Sequence, residues 1–321
     1  MASEDRERSE ATILGVDIGG TKTALLAVTA EAGRTVAATT VPTPRDSDPR
    51  AFVAFLRHES DAMLQGAGAD PLHVRAVGCA VPGQVDADGL VLGAGNLQGW
   101  SRAPLRRLLE EQWRTPAFVE QDANAGALGE MWLGVARAMS DFVFVALGTG
   151  VGAGIVLDRR IHRGAHHAAG EIGDLLVERH SLGHAVRGKD NLSARVGSPA
   201  VRARMRAATG TEMSAAEAVS AMSPGGGLAP VARDVASDLA MAVIAIAALI
   251  DPEAVVFGGG TAAESETLLA AVRDHVSRAL WRPPSLVLAA LGERSQLYGV
   301  IAGAMDRLAP HGRIPAHPGA A

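Results

Sequence analysis

The chain carries the same local pattern twice: an apolar run, a turn of glycine and threonine, and a second apolar run. The first copy covers residues 13–29, ILGVDIGGTKTALLAVT, and the second covers residues 142–157, FVFVALGTGVGAGIVL. Aliphatic and β-branched residues on both sides of a short glycine turn predict a β-hairpin. Two such hairpins in a chain of 321 residues predict two related lobes.

The first hairpin turn carries a polar set that suits phosphate, made up of Asp17, Gly19, Gly20, Thr21 and Lys22. It is not a Walker-type loop, because Thr21 separates the glycine from the lysine and a strand follows instead of a helix. Turn N–H groups and a threonine hydroxyl can still wrap a phosphate. A carboxylate beside phosphates requires a cation between them, so Asp17 predicts Mg²⁺, bound through water. The alternative is a plain glycine hairpin with Asp17 as a turn carboxylate.

The second hairpin turn repeats this chemistry, and a third glycine segment follows later in the chain. The second turn contains Gly148, Thr149 and Gly150. After an apolar helix predicted at residues 231–250, the segment AVVFGGGTA (254–262) predicts a strand, a turn formed by three glycines, and then a helix. These glycines are Gly258, Gly259 and Gly260. Backbone without side chains can approach a flat ring closely.

Two further segments carry isolated carboxylates. PAFVEQDANAGALGE (116–130) predicts a short strand ending at Gln121–Asp122 and a helix beginning near Asn124. An aspartate at such a junction is either an N-cap or a functional group. AAGEIGD (168–174) places Glu171 and Asp174 three positions apart among small residues, which is unlike an ordinary charged helix face.

Composition excludes several classes of protein. A net charge of −5, with 48% hydrophobic and 20% charged residues, fits a two-lobed globule and shows no basic excess for nucleic acid. The single cysteine, Cys79, lies in an apolar run and is predicted to be a small buried residue. The polar N-terminus lacks the apolar core of a signal peptide, and the longest apolar run, 239–250, is too short to span a bilayer. These features predict a cytoplasmic protein without a membrane partner.

The order of six motifs resembles the ROK family of sugar kinases and transcriptional repressors, within the actin/hexokinase superfamily. The motifs are DIGGTK, PGQVD…GNLQGW, EQDANAGALGE, LGTGVGAGIV, AAGEIGD and VVFGGG, and the resemblance covers residues 13–305. It implies an α/β protein with two lobes of ribonuclease H-like fold and a cleft between them. The expected lobes are residues 1–120 and 121–297, with a C-terminal helix at 298–310 packing back on the first lobe.

The resemblance also implies site residues. ATP, with Mg²⁺, is expected to bind the three glycine segments, and Asp122 matches the family's catalytic base. Glu171 matches a carboxylate that binds sugar hydroxyls. The residues expected to bind the small-molecule substrate are Gly83, Asn96, Gln121, Asp122, Glu171, Asp174 and Ser193. Family habit implies a homodimer.

The departures from the family pattern concentrate in the sugar site. Gln121 stands where most members have asparagine, and Asp174 stands where they have a histidine that contacts the sugar and commonly also a zinc ion. Residues 175–191 replace the Cys-rich zinc loop without a cysteine, and Ser193 aligns with a second sugar-binding glutamate. We therefore expect no structural zinc. The candidate acceptors are glucose, an N-acyl or amino hexose such as kanosamine, and a C7-cyclitol, and the departures favour an acceptor other than ordinary glucose. The loop histidines are not expected to bind metal; these are His166, His167, His180 and His184.

Two other classes of function compete with a kinase. A transcriptional regulator of this family needs a winged helix-turn-helix before the first strand, and about a dozen residues precede Ile13. A catalytically weak or silent sugar sensor is consistent with the altered sugar site. Retention of Asp122 and of both turns favours the enzyme.

Overall fold

The computed structural model describes residues 11–31, 33–94, 97, 99–177, 191–212, 227–259 and 266–308. The strands are β1 Thr12–Ile18, β2 Lys22–Thr29, β3 Thr35–Pro42, β4 Val74–Val81, β5 Gln84–Val85, β6 Val91–Gly93, β7 Ala117–Gln121, β8 Phe142–Leu147, β9 Val151–Leu157, β10 Arg160–Ile161, β11 Ala254–Gly259 and β12 Ser285–Leu288. The α-helices are α1 Pro49–Gly66, α2 Leu105–Trp113, α3 Asp122–Trp132, α4 Leu192–Val196, α5 Ser198–Thr209, α6 Ala229–Ile250, α7 Glu266–Ala279 and α8 Ser295–Leu308.

The chain forms two compact units with the same strand order. Residues 1–134 together with 294–321 form the first unit, and residues 135–293 form the second. The sheets run β3-β2-β1-β4-β7 and β10-β9-β8-β11-β12. When the strands are numbered in chain order within each five-stranded sheet, both sheets therefore run 3-2-1-4-5. In both, the first three strands pair antiparallel and the fourth and fifth add in parallel. The predicted α/β fold with two related lobes is confirmed by this repeated topology.

The two hairpins form where the sequence predicts them. β1 and β2 are joined by a short turn and pair from Thr12 with Thr29 to Ile18 with Thr23. β8 and β9 pair from Phe142 with Val156 to Leu147 with Val151. Almost every residue of β1 is buried, as expected for a central strand covered on both faces.

Helices cover both faces of the first sheet. On one face, α1 begins at the N-cap Asp48, whose side chain accepts from the N–H groups of Arg50 and Ala51. Phe52 of this helix packs edge-on against Trp100, with ring centroids 5.1 Å apart. On the other face, α8 packs against β1, β4, β7 and α3.

The contact of α8 with α3 depends on glycine. A Cβ on Gly299 would lie 1.8 Å from the Ala125 carbonyl oxygen, and one on Gly129 would lie 2.0 Å from that of Ser295. The two backbones therefore touch, and α3 is fixed along most of its length. This packing places α3 in the first unit, so the division by contacts falls at Gly134, whereas the sequence placed the boundary at residue 120.

In the second unit, the predicted helix at residues 231–250 is α6, Ala229–Ile250. One side of α6 packs into the core through residues such as Val235, Leu239 and Val243. Its buried Asp238 accepts from Arg195 Nε of α4 at 2.9 Å, and this ion pair attaches α4 to α6. Among the described residues, no helix combines the length and hydropathy needed to cross a membrane.

Candidate functional site

The first glycine turn closes on itself through its backbone. Gly19 N–H donates to the Lys22 carbonyl at 3.0 Å, so the chain reverses within four residues. The side chains of Thr21 and Lys22 are exposed, and Asp17 is half-buried near the end of β1. A carboxylate, exposed hydroxyl and ammonium groups, and turn backbone therefore meet at one place. This donor set fits a phosphate chain with one Mg²⁺, which commonly binds through one carboxylate, phosphate oxygens and water.

Residues just after β3 hold this turn from outside the hairpin. Thr43 N–H donates to the Thr21 carbonyl at 3.0 Å, and Thr43 Oγ1 donates to the Gly19 carbonyl at 2.8 Å. Arg45 Nη2 donates to Thr21 Oγ1 at 2.8 Å. Thr43 and Arg45 were not among the site residues predicted from the sequence. The signal for them is the antiparallel register, in which Lys22 lies opposite Pro42, so the residues that follow β3 must lie beside the turn.

Asp17 and Asp122 lie at the same edge of the first sheet. β1, β4 and β7 are parallel, with Asp17 paired to Ala80 and Ala80 paired to Glu120. Asp122 follows β7 directly. Carboxyl ends of parallel strands are where ligands bind in open α/β sheets. The structure therefore brings these two predicted carboxylates to one edge of the sheet.

Asp122 is the first residue of α3, two positions before the predicted helix start. The N-cap position belongs to Gln121, which makes no side-chain cap bond. Asp122 Oδ1 accepts from the Ala123 N–H at 2.7 Å. The N-cap alternative for Asp122 is therefore wrong in position, although a carboxylate in the first turn still interacts favourably with the helix dipole. Gln121 itself is buried at the end of β7.

Gly83 follows β4 at the same sheet edge, in a conformation that only glycine adopts easily. Its φ is +109°, and a Cβ there would lie 1.9 Å from the Gly93 carbonyl oxygen. Gly83 thereby allows β5 and the end of β6 to approach each other closely. The other predicted substrate residue of this motif, Asn96, lies outside the described residues.

The second glycine turn lies at the corresponding place in the second sheet. Gly148 N–H donates to the Gly150 carbonyl at 2.9 Å, and Thr149 and Gly150 are exposed. Gly258 and Gly259 are adjacent to this turn, because they pair with Ala146 and Leu147 of β8.

The third glycine segment differs from its prediction. Gly258 and Gly259 are the last two residues of β11, not part of a turn after it, and Gly260 lies outside the described residues. A Cβ on Gly258 would lie 2.4 Å from the Phe144 ring, and one on Gly259 would lie 2.3 Å from the Leu147 carbonyl oxygen. Close packing within the sheet therefore already requires both glycines.

Glu171 and Asp174 occupy one short turn that is attached to β9. Glu171 precedes a 3₁₀ helix, Ile172–Asp174, and its carbonyl accepts from the Asp174 N–H at 3.1 Å. The Gly170 carbonyl accepts from the Ala153 N–H at 2.7 Å. Glu171 is half-buried and Asp174 is exposed.

Two residues from the start of α4 contact this region. Asn191 Nδ2 donates to Asp174 Oδ1 at 3.1 Å, a contact that the sequence analysis missed. Ser193 Oγ accepts from the Val151 N–H at 3.0 Å, so the serine predicted to meet substrate lies against the first residue of β9. The structure therefore brings Asp174, Ser193 and the second glycine turn together.

Cys79 lies in β4 opposite Val16, one residue before Asp17. It is fully buried in β4, as predicted, and burial together with the nearby charge of Asp17 raises the pKa of its thiol well above the usual range. A thiol that stays protonated is a poor nucleophile. Cys79 is therefore a packing residue.

The described residues also show where His, Cys, Asp and Glu side chains lie relative to one another. Across the described parts of the chain, no three His, Cys, Asp or Glu side chains come together in a group that could hold a metal ion. His166 is exposed and His167 is half-buried, whereas His180 and His184 lie outside the described residues.

The chain is similar in sequence to a known family and to several of its members. Residues 13–306 match the model of the ROK family. A glucokinase of Halalkalibacterium halodurans is 31% identical over 284 residues, which is 83% of this chain and 86% of that protein. A xylose repressor of Caldicellulosiruptor bescii is 39% identical over 108 residues, which is 33% of this chain and 27% of that protein.

Solved structures resemble the whole fold. A ROK family glucokinase from Streptomyces griseus, in complex with glucose and AMPPNP, aligns with a TM-score of 0.74 and 30% identity, covering 93% of this chain and all of that one (100%). The similarity therefore extends over both units.

Proposed function

The chain belongs to the ROK family, and we propose that it is a kinase that transfers the γ-phosphoryl group of ATP to the primary hydroxyl of a hexose or hexose-like polyol. The observation that carries the proposal is the repeated strand order, with a Gly/Thr turn between the first and second strands of each unit. The glucokinase relatives, one of them in complex with glucose and AMPPNP, support a sugar and ATP as the substrates.

In this proposal the phosphates bind the two hairpin turns. Thr21, Lys22 and Thr149 present exposed side chains there. Asp17 would hold Mg²⁺ through water, and the ion would supply positive charge to the phosphate oxygens. Gly258 and Gly259, which pair with the end of β8, place backbone next to the second turn for the nucleotide, and Gly260 follows them in the sequence. The binding set comprises Asp17, Gly19, Gly20, Thr21, Lys22, Gly148, Thr149, Gly150, Gly258, Gly259 and Gly260.

Asp122 is the proposed general base. Phosphoryl transfer passes through a loose transition state, so the protein mainly positions the reactants and stabilises charge. Asp122 accepts the proton of the attacking hydroxyl as the new P–O bond forms. The start of α3 suits this role, because the packing of α3 against α8 fixes the helix backbone that carries Asp122.

Glu171 and Asp174 are proposed to hold acceptor hydroxyls, with Gly83, Asn96, Gln121 and Ser193 completing the substrate set. An ionised carboxylate at position 174 can only accept hydrogen bonds, whereas the histidine usual in the family can donate. A protonated amine forms a stronger, charge-assisted bond to such a carboxylate than a hydroxyl does. We therefore propose an acceptor that differs from glucose, such as an amino sugar (kanosamine) or a C7-cyclitol.

The test is a coupled assay of ADP release with glucose, glucosamine, kanosamine and a valiolone-type cyclitol, for the wild type and Asp174→His. We expect glucose to be poorer than the best acceptor by roughly a hundredfold in kcat/KM, the scale of two mismatched buried polar groups. Asp174→His should improve glucose selectively. If glucose is the best acceptor, the specificity proposal is wrong and the kinase proposal stands. Acceptor binding without ADP release would instead indicate a sugar sensor.

A further inference from the structure

Asn191 is a buried side chain that uses both ends of its amide. It is 4% exposed and immediately precedes α4. Its Oδ1 accepts from the Ala194 N–H at 2.9 Å, which caps the helix, and its Nδ2 donates to Asp174 Oδ1 at 3.1 Å. The two partners fix which end of the amide is which, because a backbone N–H needs an acceptor and a carboxylate needs a donor.

The backbone makes the same connection beside this side chain. Leu192 N–H donates to the Leu175 carbonyl at 2.8 Å, and Leu176 and Asn191 form an isolated antiparallel bridge. The residues that directly follow Asp174 are therefore attached to the residues that begin α4. The side-chain bond extends this attachment to the carboxylate of Asp174.

Two residues further on, α4 contacts the second hairpin. Ser193 Oγ accepts from the Val151 N–H at 3.0 Å. Gly173 lies against both: a Cβ at this position would be 2.3 Å from Ser193 Oγ and 2.4 Å from the Val151 carbonyl oxygen. The turn at 171–174, the start of α4 and the first residue of β9 thus lie in direct contact, which leaves little room for the turn to shift relative to the hairpin.

We propose that Asn191 is a positioning residue for the acceptor. Its amide holds Asp174, and with it the short turn that begins at Glu171, at a fixed place relative to the glycine turn at 148–150. This inference rests on the proposed function, in which those two places hold the acceptor and the phosphates. A misplaced turn lowers the rate of transfer to the acceptor, because reacting groups must be aligned within a fraction of an ångström.

Mutations can test the oxygen and the nitrogen of the Asn191 amide separately. Asn191→Asp keeps an oxygen that accepts from Ala194, and aspartate is as good an N-cap as asparagine. It removes the donor to Asp174 and places two carboxylates against each other. Asp174→Asn keeps the bond to Asn191 in neutral form. The double variant, Asp174→Asn with Asn191→Asp, restores a donor and an acceptor with their positions exchanged.

The experiment measures kcat and KM for the acceptor and for ATP in these three variants and the wild type. We expect Asn191→Asp alone to lower kcat/KM for the acceptor by about ten- to a hundredfold, the scale of one or two tenfold steps of lost transition-state stabilisation. When Asp174→Asn is already present, adding Asn191→Asp should lower kcat/KM for the acceptor by less than about twofold. KM for ATP should stay nearly constant whether residue 174 is Asp or Asn. Asp48→Asn, at the N-cap of α1, is the matched control and should behave as wild type.

Acceptor binding measured by calorimetry without ATP separates this inference from the proposed function. If no acceptor is phosphorylated, the proposed function fails. The role of Asn191 would still be supported if Asn191→Asp weakened acceptor binding with Asp at position 174 but not with Asn there. Equal effects of Asn191→Asp in both backgrounds, in kinetics and in binding, would overturn the inference, since a residue that only caps α4 does not sense residue 174. Melting curves of all variants show whether each one folds.

Discussion

The two glycine turns are alike in sequence but are held by different parts of the chain. In the first unit, Thr43 follows the next strand of the same meander and binds the carbonyl of Gly19 at 2.8 Å. In the second unit the partners come from helices that lie about forty to fifty residues further along the chain. Ser198 at the start of α5 donates both its N–H and its hydroxyl to the carbonyl of Gly148, each at 2.8 Å, and Ser193 in α4 binds the start of β9.

This difference shows which parts of the candidate site are held by the same structural element. The support of the first turn is local, so its loss should alter that turn and little else. The support of the second turn includes α4, which also contacts Asp174 through Asn191. In the second unit, the glycine turn at 148–150 and the turn at 171–174 therefore share a support, whereas in the first unit the glycine turn and Asp122 lie on separate elements.

The largest expected effect on turnover comes from a position that carries different residues in the two units. The residue after the fifth strand is Asp122 in the first unit and Ala289 in the second. We expect Asp122→Asn to lower turnover by about two to four orders of magnitude while ATP binding is retained, as for the loss of a general base. Steady-state kinetics together with nucleotide binding check this. A variant with more than about a tenth of the wild-type rate would show that Asp122 is not the base.

A smaller effect is expected from removing the two supports. Thr43→Val removes a hydroxyl that donates to the carbonyl of Gly19 and also bonds with Thr23 Oγ1 at 2.9 Å, and losing these two bonds costs about 1–3 kcal/mol of unfolding free energy. Ser198→Ala should cost only about 0.5–1.5 kcal/mol, because Gly148 keeps the bond from the Ser198 N–H. Urea denaturation measures both losses, and KM for ATP should rise more in Thr43→Val.

Thr43→Ser is the matched control for this comparison, because it keeps the hydroxyl and should stay close to the wild type in KM for ATP. If Ser198→Ala proves as harmful as Thr43→Val, the second turn depends on one hydroxyl as much as the first does. The contrast between a single and a doubled support would then be wrong.

Local pattern in the sequence was enough to predict the two hairpins, whereas the α/β class was predicted from the resemblance to the ROK family. Strand period and glycine turns act over a few residues, and β1, β2, β8 and β9 form within a residue or two of their predicted bounds. The start of α3 was placed two residues late, because Asp122 resembles an N-cap. Gly258 and Gly259 were predicted to lie in a turn, since a run of glycines does not reveal that neighbouring strands require them inside a sheet.

The contacts that hold the candidate site could not be predicted in this way. Asn191 meets Asp174 across seventeen positions of sequence, and Thr43 meets Gly19 across twenty-four. Such side-chain bonds depend on how strands pair and where helices dock, which no periodicity encodes. Once the strand order is known, Thr43 and Arg45 follow from the register of β2 with β3, whereas Asn191 requires the packing of α4 on α6.

The smallest expected effect concerns metal, and it tests whether the protein's own contacts hold the turn at 171–174 without a metal ion. A structural zinc would contribute directly to folding, so a chelator would lower the melting temperature. Since Asp174 is held by an asparagine amide, we expect EDTA to leave the melting temperature unchanged and elemental analysis to find well under one zinc per chain. EDTA should still stop ATP turnover by removing Mg²⁺, and added Mg²⁺ alone should restore it. One tightly bound zinc per chain, with a melting temperature that falls on chelation, would show that a metal supports this turn.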